Sequence, residues 1–585
     1  MPIKIGIIDS GVRINHPAFY SEELNGYSLK VINDEVVKFD DFEDEIGHGT
    51  AIYYLINKNT DDAIITNIKI YFKECSVDCY EFEKIMKYIS DYENFDIINI
   101  SLGIVNYGST KNLEDICNKM IIKGTKIISA FDNNGAVSFP AGLTNIIGVD
   151  ASNNIDLSSK GFAYIENSIV NILGKNKNIK VAWLNPDYIL VSGSSFLCAE
   201  FTSKVANNNK LDVSLLCEKI IKLEKRKTNT MNFKIINAAV FPFNKEIHSL
   251  ARFHDLISFN IVDFYAPRIS GNVNKNTSDI LENCESNYII KDIEKIEWDT
   301  FDTLIIGHIV DLSKLTKKDY SKILIEEAIR KGKKIYSFDD VLKNEIYDNY
   351  YTPKISEDMV PKKFGKIYKT NKPILSIIGT NSKQGKFTLQ LELRRRFLND
   401  GYNIGQIGTE PTSSLYGFDE IFHSGFNSEM NLMPYQICSL TNQMIWNITQ
   451  KDVDIIITGC QSGMIAYNDY NISMIPFEHQ IFLESIQPDL LIICINVFDE
   501  INFVDRIIKY SEGLTGGKVV GLVCFPIKYS DDWKGFFGEK KRISETEENV
   551  IKLKFLKNLN KKVYMLDKEE EINDLYNECI NYFSE

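Results

Sequence analysis

Three residues in the first 200 positions could together carry out nucleophilic catalysis: Asp9, His48 and Ser195. His48 lies between two glycines before a helix-like run, so a tight turn would leave its ring free to act as a general base. Asp9 follows an apolar run and Ser195 precedes a helix-forming run, where an acid or a serine often only caps a helix. The order acid, histidine, serine, with glycines at each corner, favours a triad in which the acid orients the histidine and the histidine takes the serine proton.

The elements that must position these residues show the pattern of parallel α/β sheets. Short apolar runs alternate with segments of helical periodicity in three stretches of the chain. At 585 residues the chain is also too long for one core. The sequence therefore predicts an α/β protein with a parallel-sheet domain, a small Rossmann-like domain and an α/β domain that carries a phosphate loop. The predicted domains are 1–208, 232–350 and 372–585, joined by linkers at 209–231 and 351–371.

Ordered motifs in residues 1–205 resemble those of the subtilisin-like serine peptidases. They are "IGIIDSGV", "GHGT", "NISLG", "ISAFDNNG" and "GSS", in which serine replaces the usual threonine of the last motif. "SFPAGLTNIIGVDAS" also resembles the segment that follows the fourth motif in that family. The resemblance implies a subtilisin-like parallel-sheet domain with Asp9, His48 and Ser195 as its catalytic triad.

The same resemblance assigns two further sets of site residues. "ISAFDNNG" places Asn133 as the donor to the oxyanion that develops during acyl transfer. "NISLG" resembles the substrate-binding strand, so the backbone of Ser101, Leu102 and Gly103 is expected to pair with an extended peptide. Together these residues imply an active serine endopeptidase.

A second constellation of residues could bind phosphate. In "PILSIIGTNSKQGKFTLQLELRRRF" an apolar strand is followed by a glycine-bounded loop and a helix. Backbone N–H groups at such a helix start form an anion site. The spacing is similar to the "GTDxxxGK" loop of dethiobiotin-synthetase-like P-loop proteins, which implies nucleotide binding by Gly379, Thr380, Gly385, Lys386 and Thr388. The alternative is a plain strand-turn-helix with a lysine on the surface.

The expected magnesium ligands at this loop are incomplete. Phe387 stands where a serine or threonine hydroxyl would bind Mg²⁺, so only Thr388 could serve. Thr458 stands where the resembled proteins have an acid. Thr388 and Glu410 are the candidate magnesium ligands, and Asp454 is a second carboxylate that could compensate. The pattern favours binding of ATP over its fast hydrolysis and leaves NTPase activity open.

Composition argues against several kinds of partner. A net charge of -14 argues against nucleic acid, and no apolar span approaches the roughly 20 residues that a bilayer crossing needs. The eleven cysteines are scattered without zinc-ligand spacing, which is typical of reduced thiols. Asp9 lies so near the first residue that we expect no signal peptide and no inhibitory prosegment. The sequence predicts a cytoplasmic protein without nucleic-acid or membrane partners.

Residues 233–585 resemble two-part proteins with a Rossmann-like half and a P-loop half, among them accessory proteins of clostridial ribosomal-peptide maturation. The motifs that carry this resemblance are "INAAVFPF", "GTNSKQGKFT", "GTEPTSSLYGFD" and "GCQSGM". The resemblance implies an endopeptidase that needs no cofactor for proteolysis, cleaves a leader-bearing precursor peptide, works with other peptide-maturation proteins and holds ATP and Mg²⁺ at its P-loop. The alternatives are an ATP-dependent peptide-tailoring enzyme, or a nucleotide-binding scaffold, in which the N-terminal domain mainly binds the precursor.

Overall fold

The computed structural model describes the chain except residues 1, 75, 160, 282–283, 285, 343–346, 424–430, 468–474, 530–539 and 585. The chain forms two compact units, and the predicted α/β class is confirmed. The first unit comprises Met1–Arg226 and Pro361–Asn371, and the second comprises Lys227–Val360 and Lys372–Glu585. None of the helices in the described ranges has both the length and the apolar character needed to cross a membrane.

The first unit is built on one ten-stranded sheet. The strands of this unit are β1 (Ile3–Asp9), β2 (Asn25–Ile32), β3 (Glu35–Phe39), β4 (Ala63–Lys69), β5 (Ile97–Ile100), β6 (Lys126–Ala130), β7 (Ile147–Ser152), β8 (Phe162–Glu166), β9 (Ile172–Lys175), β10 (Ile179–Ala182), β11 (Tyr188–Val191) and β12 (Lys219–Lys222). The spatial order of the sheet is β12-β8-β9-β7-β6-β5-β1-β4-β2-β3, and β10 pairs with β11 separately. Neighbours in the ten-stranded sheet run parallel, apart from the antiparallel pairs β2–β3 and β8–β9.

Helices cover this sheet and bring their amino ends to its carboxyl edge. They are α1 (His48–Lys58), α2 (Cys79–Tyr92), α3 (Lys111–Ile122) and α4 (Ser194–Asn207). The central strands β5 and β6 are apolar and almost wholly buried, as expected for parallel strands covered on both faces. α1 and α4 pack against each other and share one core with β1 and β6, around Ile7, Ile128 and Phe201. This packing fixes the starts of α1 and α4 near the ends of β1 and β5.

The second unit contains two parallel sheets. The first consists of β13 (Asn237–Phe241), β14 (Asn260–Ala266), β15 (Lys291–Asp292), β16 (Thr303–Ile306), β17 (Lys334–Ser337) and β18 (Tyr350–Tyr351), in the order β15-β14-β13-β16-β17-β18. The other sheet consists of β19 (Ile374–Gly379), β20 (Ile404–Gly408), β21 (Glu420–Ile421), β22 (Ile455–Gly459), β23 (Leu490–Ile495), β24 (Lys518–Cys524) and β27 (Val563–Met565). Its order is β21-β20-β22-β19-β23-β24-β27, and a hairpin of β25 (Ile527–Tyr529) and β26 (Lys540–Arg542) follows β24.

The helices of the second unit pack around these sheets. They are α5 (His248–Arg252), α6 (Thr277–Ile280), α7 (Val310–Thr316), α8 (Glu327–Arg330), α9 (Lys386–Asn399), α10 (Pro434–Thr449), α11 (Phe477–Ile486), α12 (Ile501–Thr515), α13 (Glu545–Leu559) and α14 (Glu569–Ser584). Leu391 of α9 and the neighbouring Leu415 and Phe418 share a core with Val240 and Phe264 of the first sheet. The Rossmann-like and P-loop halves, predicted as separate domains, therefore lie in one compact unit.

Parts of both predicted linkers belong to the first unit of the structure. β12 lies within the predicted linker 209–231. It pairs in parallel with β8 and so forms an edge strand of the first sheet. Residues 361–371, which end the second predicted linker, belong to the first unit. Such short strands and extended segments show little hydrophobic periodicity. The sequence pattern alone therefore does not distinguish them from a linker.

Candidate active site

Asp9 and His48 meet at the carboxyl end of β1. The His48 Nδ1–H donates to the Asp9 carboxylate, at 2.8 Å from Oδ1 and 3.0 Å from Oδ2, and Asp9 is only 1% exposed. Burial acts to lower the pKa of His48, but the charge and hydrogen bond of Asp9 and the charge of Asp44 outweigh it and raise that pKa. Because Nδ1 is engaged by the carboxylate, Nε2 is the ring nitrogen that can take a proton.

The turn before α1 is held by Asp44, which the sequence analysis did not single out. Its Oδ1 accepts from the backbone N–H groups of Ile46 and Gly47 at 2.8 and 2.9 Å. Its Oδ2 accepts from the N–H and the hydroxyl of Thr50 at 2.9 and 2.6 Å. Gly47 has φ +100°, which L side chains rarely adopt, so this turn requires glycine. An acid just before a glycine and a helix start is typical of such side-chain-to-backbone turns and was the available signal.

Ser195, the second residue of α4, directly precedes a residue that contacts the His48 ring. The next residue, Phe196, packs on that ring with centroids 5.5 Å apart. The Ser195 hydroxyl donates to the Ser101 carbonyl at 3.1 Å. A role as nucleophile would require the hydroxyl to leave this carbonyl and turn towards His48 Nε2, and hydrogen bonds in substrate-free active sites often differ from those of the substrate complex. The fold thus brings the three candidate triad residues to one edge of the sheet.

Asn133 lies against the start of α4. Its Oδ1 accepts from the Ser194 backbone N–H at 3.0 Å, while the buried Ser194 hydroxyl donates to the Phe131 carbonyl. Because Oδ1 is engaged by Ser194, the donor Nδ2 must point away from it. Gly193 has φ +131°, and a Cβ there would lie 3.0 Å from Asn133 Oδ1. Glycine at 193 is therefore required by the backbone and by the Asn133 side chain together.

Residues 101–103, the predicted peptide-binding stretch, follow β5 next to Ser195. Directly after them, Ile104 and Phe139 exchange two backbone hydrogen bonds of 3.0 and 2.9 Å. Gly103 packs so closely that a Cβ would lie 2.4 Å from Ser138 Oγ. The stretch is thus fixed between the Ser195 hydroxyl at one end and the segment that follows Asn133 at the other.

The predicted phosphate loop joins β19 to α9. Gly385 has φ +80°, and a Cβ there would lie 2.4 Å from Leu566 Cδ2. Lys386 is only 7% exposed, and its Nζ donates to the Asn381 carbonyl at 2.6 Å. Burial lowers the pKa of Lys386. The lysine is therefore not a surface residue, and a buried cation at a helix start suits a phosphate group.

Asp499, which follows β23, is a second residue that the sequence analysis missed. It accepts hydrogen bonds from the hydroxyl of Thr380, a predicted nucleotide-binding residue, and from the Asn496 N–H at 2.7 Å. Burial raises the pKa of Asp499, which these hydrogen bonds only partly offset. The available signal was an acid in the loop "NVFDE" that follows the apolar run "LLIICI".

Asp454 does not lie where a missing magnesium ligand would be needed. Its Oδ2 accepts from the Asn403 N–H at 2.8 Å, just before β22 begins. Since β22 runs parallel to β19, Asp454 lies at the amino edge of the sheet, whereas the phosphate loop leaves the carboxyl edge. Thr458, at the position expected for an acid, donates to Ser376 Oγ at 3.0 Å inside the sheet. The expectation that Asp454 could compensate is therefore wrong.

Two family models match the sequence, one for each of these sites. The model of the subtilase family matches residues 2–239, and the model of a domain of unknown function, the DUF1611_C P-loop domain, matches residues 363–502. The chain carries a subtilase domain and a DUF1611 P-loop domain. The predicted subtilisin-like family and P-loop domain are confirmed, and so is the predicted enzyme class, a serine endopeptidase.

Three solved structures are similar to parts of this chain at low sequence identity. A cold-adapted subtilisin-like serine proteinase is 20% identical, covers 36% of this chain and 77% of its own, and gives a TM-score of 0.29. The prenylagaramide maturation protease PagA is 19% identical, with coverages of 37% and 80% and a TM-score of 0.28. A DUF1611 family protein from Anabaena variabilis is 12% identical, with coverages of 59% and 99% and a TM-score of 0.41. No curated protein matches the sequence.

The residues around the P-loop of the DUF1611 domain are better suited to binding a phosphate group than to supplying a complete set of Mg²⁺ ligands. Burial raises the pKa of Glu410 to about 7, although the charge of Lys386 acts to lower it. Phe387 packs its ring against Tyr416, with centroids 5.9 Å apart, and leaves Thr388 as the hydroxyl of the first helical turn. Within the described ranges, no group of three or more His, Cys, Asp or Glu side chains is placed to hold a metal ion. Glu410 and Thr388 remain the candidates for binding Mg²⁺ that arrives with ATP.

A buried histidine–carboxylate pair in the Rossmann-like half was also missed. His308 Nδ1 lies 2.7 Å from Asp339 Oδ1, just after the ends of β16 and β17. Burial acts to raise the pKa of Asp339, but the hydrogen bond and charge of His308 outweigh it and lower that pKa. The charge of His308 also acts to lower the pKa of Glu410, against the larger effect of burial, which raises it. A histidine directly after the strand "DTLIIG" was the available signal.

Proposed function

We propose that the subtilase domain cleaves peptide bonds through an acyl-enzyme at Ser195. The observation that carries this proposal is the buried hydrogen bond of 2.8 Å between Asp9 and His48. It fixes the imidazole with Nε2 as the proton acceptor, and Ser195 lies at the start of the helix that packs on the same ring. Asn133, locked against Ser194, supplies the donor for the oxyanion.

The proposed reaction follows from these positions. Ser195 Oγ bonds to the carbonyl carbon of the scissile peptide while its proton passes to His48 Nε2, and Asn133 Nδ2 donates to the resulting oxyanion. The C–N bond then breaks as His48 returns the proton to the leaving amine. A water molecule then gives a proton to His48 and bonds to the acyl carbon. The bond from this carbon to Ser195 Oγ breaks, His48 returns the proton to Oγ, and the new carboxyl terminus of the peptide leaves. Residues 101–103 hold the substrate backbone beside this centre.

The proposed substrate is a leader-bearing precursor peptide of a ribosomal peptide-maturation system, with other proteins of such a system as partners. The resemblance of residues 233–585 supports this setting. The proposed location is the cytoplasm, and the ten cysteines of the described residues, all free thiols, agree with a reducing compartment.

The proposed role of the DUF1611 domain is to bind ATP and to regulate the peptidase or position its substrate. Gly385 and the buried Lys386 support phosphate binding at the start of α9. Thr458 in place of an acid supports binding without fast hydrolysis. The same buried lysine favours one alternative, an ATP-dependent peptide-tailoring enzyme whose N-terminal domain mainly grips the precursor.

Digestion of a mixed peptide library by the full-length protein tests this proposal. Mass spectrometry should find new peptide termini with the wild type and with Ser159→Ala, an exposed serine of the same domain, but none with Ser195→Ala. Cleavage that survives in Ser195→Ala would overturn the proposal. Peptide-dependent ATP turnover that is lost in Lys386→Ala, with no new termini in any sample, would favour the tailoring alternative.

A further inference from the structure

Residues 361–371, here called the return segment, pack on the loop that carries Asn133. The chain leaves the first unit after Arg226 and comes back to it only for these residues. Ile367 and Ala136 form a parallel bridge, in which the Val137 N–H donates to the Ile367 carbonyl at 2.9 Å. The Ile367 N–H donates in turn to the Gly135 carbonyl at 3.4 Å.

Lys366 holds the same loop on the other side of Asn133. Its Nζ donates to the Asp132 carbonyl at 3.0 Å and lies 3.3 Å from the carboxylate of Asp150 on β7. The side chains of Lys366 and Asp150 are only 7% and 11% exposed, and the ammonium group lies 5.5 Å from the centre of the Phe131 ring. Burial raises the pKa of Asp150, and the charge of Lys366 partly offsets that rise. A lysine in such a place is part of the domain core and not a solvated linker residue.

Further contacts anchor the return segment to the first unit. The Ser168 hydroxyl donates to the Lys362 carbonyl at 3.0 Å. The buried Tyr368 ring stacks on Phe139 with centroids 6.4 Å apart, and Phe139 is the residue that pairs with Ile104 beyond the peptide-binding stretch. The return segment therefore touches the Asn133 loop from residue 132 to residue 139.

We propose that Lys366 and Ile367 are positioning residues of the peptidase, which hold the backbone on both sides of Asn133 and so place its amide for the oxyanion. This inference rests on the proposed acyl-transfer function. Asn133 has its own contact with Ser194, but its backbone is part of a loop whose two flanks, Asp132 and Gly135, are both bonded to the return segment. A displacement of about 1 Å in such a group can cost on the order of a hundredfold in rate. The subtilase domain is thus completed by residues that lie far downstream in the sequence.

The first test compares Lys366→Met with Lys369→Met in the full-length protein. Lys369 is an exposed lysine of the return segment outside the contacts described above. With a fluorogenic peptide that the wild type cleaves, Lys366→Met should lower kcat by about tenfold to a hundredfold and leave KM within about twofold. Lys369→Met should match the wild type. A wild-type kcat in Lys366→Met, with a cooperative thermal transition showing that it is folded, would overturn the proposal.

A second pair of variants separates positioning from a loss of stability. Lys366→Met leaves Asp150 as an unpaired buried carboxylate, which by itself destabilises the domain. Asp150→Asn combined with Lys366→Met removes that charge but still lacks the bond to the Asp132 carbonyl, so the loss of kcat should persist. Recovery of kcat in this double variant would show that the unpaired charge was the cause and would overturn the proposal.

A double-mutant cycle with Asn133→Ala tests whether Lys366 acts through Asn133. If it does, Lys366→Met should reduce kcat by less than about threefold once Asn133 is already alanine. If the double variant instead loses kcat by the product of the two separate losses, the two residues act independently and the proposal is overturned. A wild type that cleaves no peptide would overturn the proposed function itself, whereas an active wild type with an unaffected Lys366→Met overturns only the positioning role.

Discussion

The buried carboxylate of Asp9 accepts a hydrogen bond of 2.8 Å from the imidazole of His48. Asp9 ends β1 and His48 begins α1, so the hydrogen bond joins the central sheet to the helix that packs on α4. The charge that orients the ring also favours its protonated form. If His48 is the general base that we propose, proteolysis depends on its titration.

Peptidase activity should fall as the pH is lowered through the pKa of His48. That pKa is raised above the ordinary value of 6.5, and a protonated ring cannot accept the Ser195 proton. We expect kcat/KM to rise with pH through an inflection above 6.5. Asp9→Asn removes the charge that raises the pKa, so the inflection should move to lower pH while kcat drops by about 10⁴-fold. An unchanged inflection in this variant would show that Asp9 does not set the titration.

Asp44→Ala should lower both stability and activity. The change removes the acceptor of four hydrogen bonds in the turn before His48, a loss comparable to that of a helix cap, of about 1–2 kcal/mol. Asp44→Ala should therefore show a lower temperature of thermal unfolding and a lower rate of peptide cleavage. Asp40→Ala, at an exposed aspartate of the same loop, should behave as wild type in both measurements. Equal behaviour of the two variants would argue against a role for this turn.

Gly193→Ala should impair catalysis more than stability. The substitution puts a side chain at φ +131° and a methyl group 3.0 Å from Asn133 Oδ1, so the oxyanion donor must move. We expect kcat to fall at least about tenfold, while Gly108→Ala, where a methyl group meets open space, should leave it unchanged. Steady-state kinetics on the two variants measures this difference directly. A normal kcat in Gly193→Ala would contradict the placement of Asn133.

The parts of the site that lie within short motifs could be predicted from the sequence. His48 lies between two glycines, Asp9 and Ser195 each lie two residues from one, and the order of the three along the chain points to one geometry. Gly385 and Lys386 were likewise visible as a loop between a strand and a helix. These signals are local, so they needed no knowledge of which strands pair.

The parts that depend on long-range pairing could not be predicted. Lys366 meets Asp150 only because the chain returns to the first unit, and no periodicity marks the return segment. The position of Asp454 depends on the parallel register of β22 and β19, which the sequence does not reveal. β12 has the sequence pattern of a linker, because an edge strand of four residues has too few apolar positions to reveal its partner.

Nucleotide binding should depend on pH through Glu410. Without metal, ionisation of Glu410 near its pKa of about 7 places a negative charge beside the loop lysine, so the affinity for ATP should fall as the pH rises through that value. In Mg²⁺ the ionised carboxylate should bind the metal, so the affinity should rise with pH instead. Isothermal titration calorimetry with ATP at several pH values, without and with Mg²⁺, measures both trends in affinity. Glu410→Gln should abolish both trends, and an unchanged effect of Mg²⁺ in this variant would exclude Glu410 as a ligand.

Covalent labelling of Ser195 tests the central claim most directly. The full-length protein is treated with a fluorophosphonate, and the intact mass and a peptide map locate the adduct. We predict one phosphonylated serine, Ser195, in the wild type and in Ser159→Ala, and no adduct in Ser195→Ala. Equal labelling of the wild type and Ser195→Ala, or an adduct at another serine, would contradict the account.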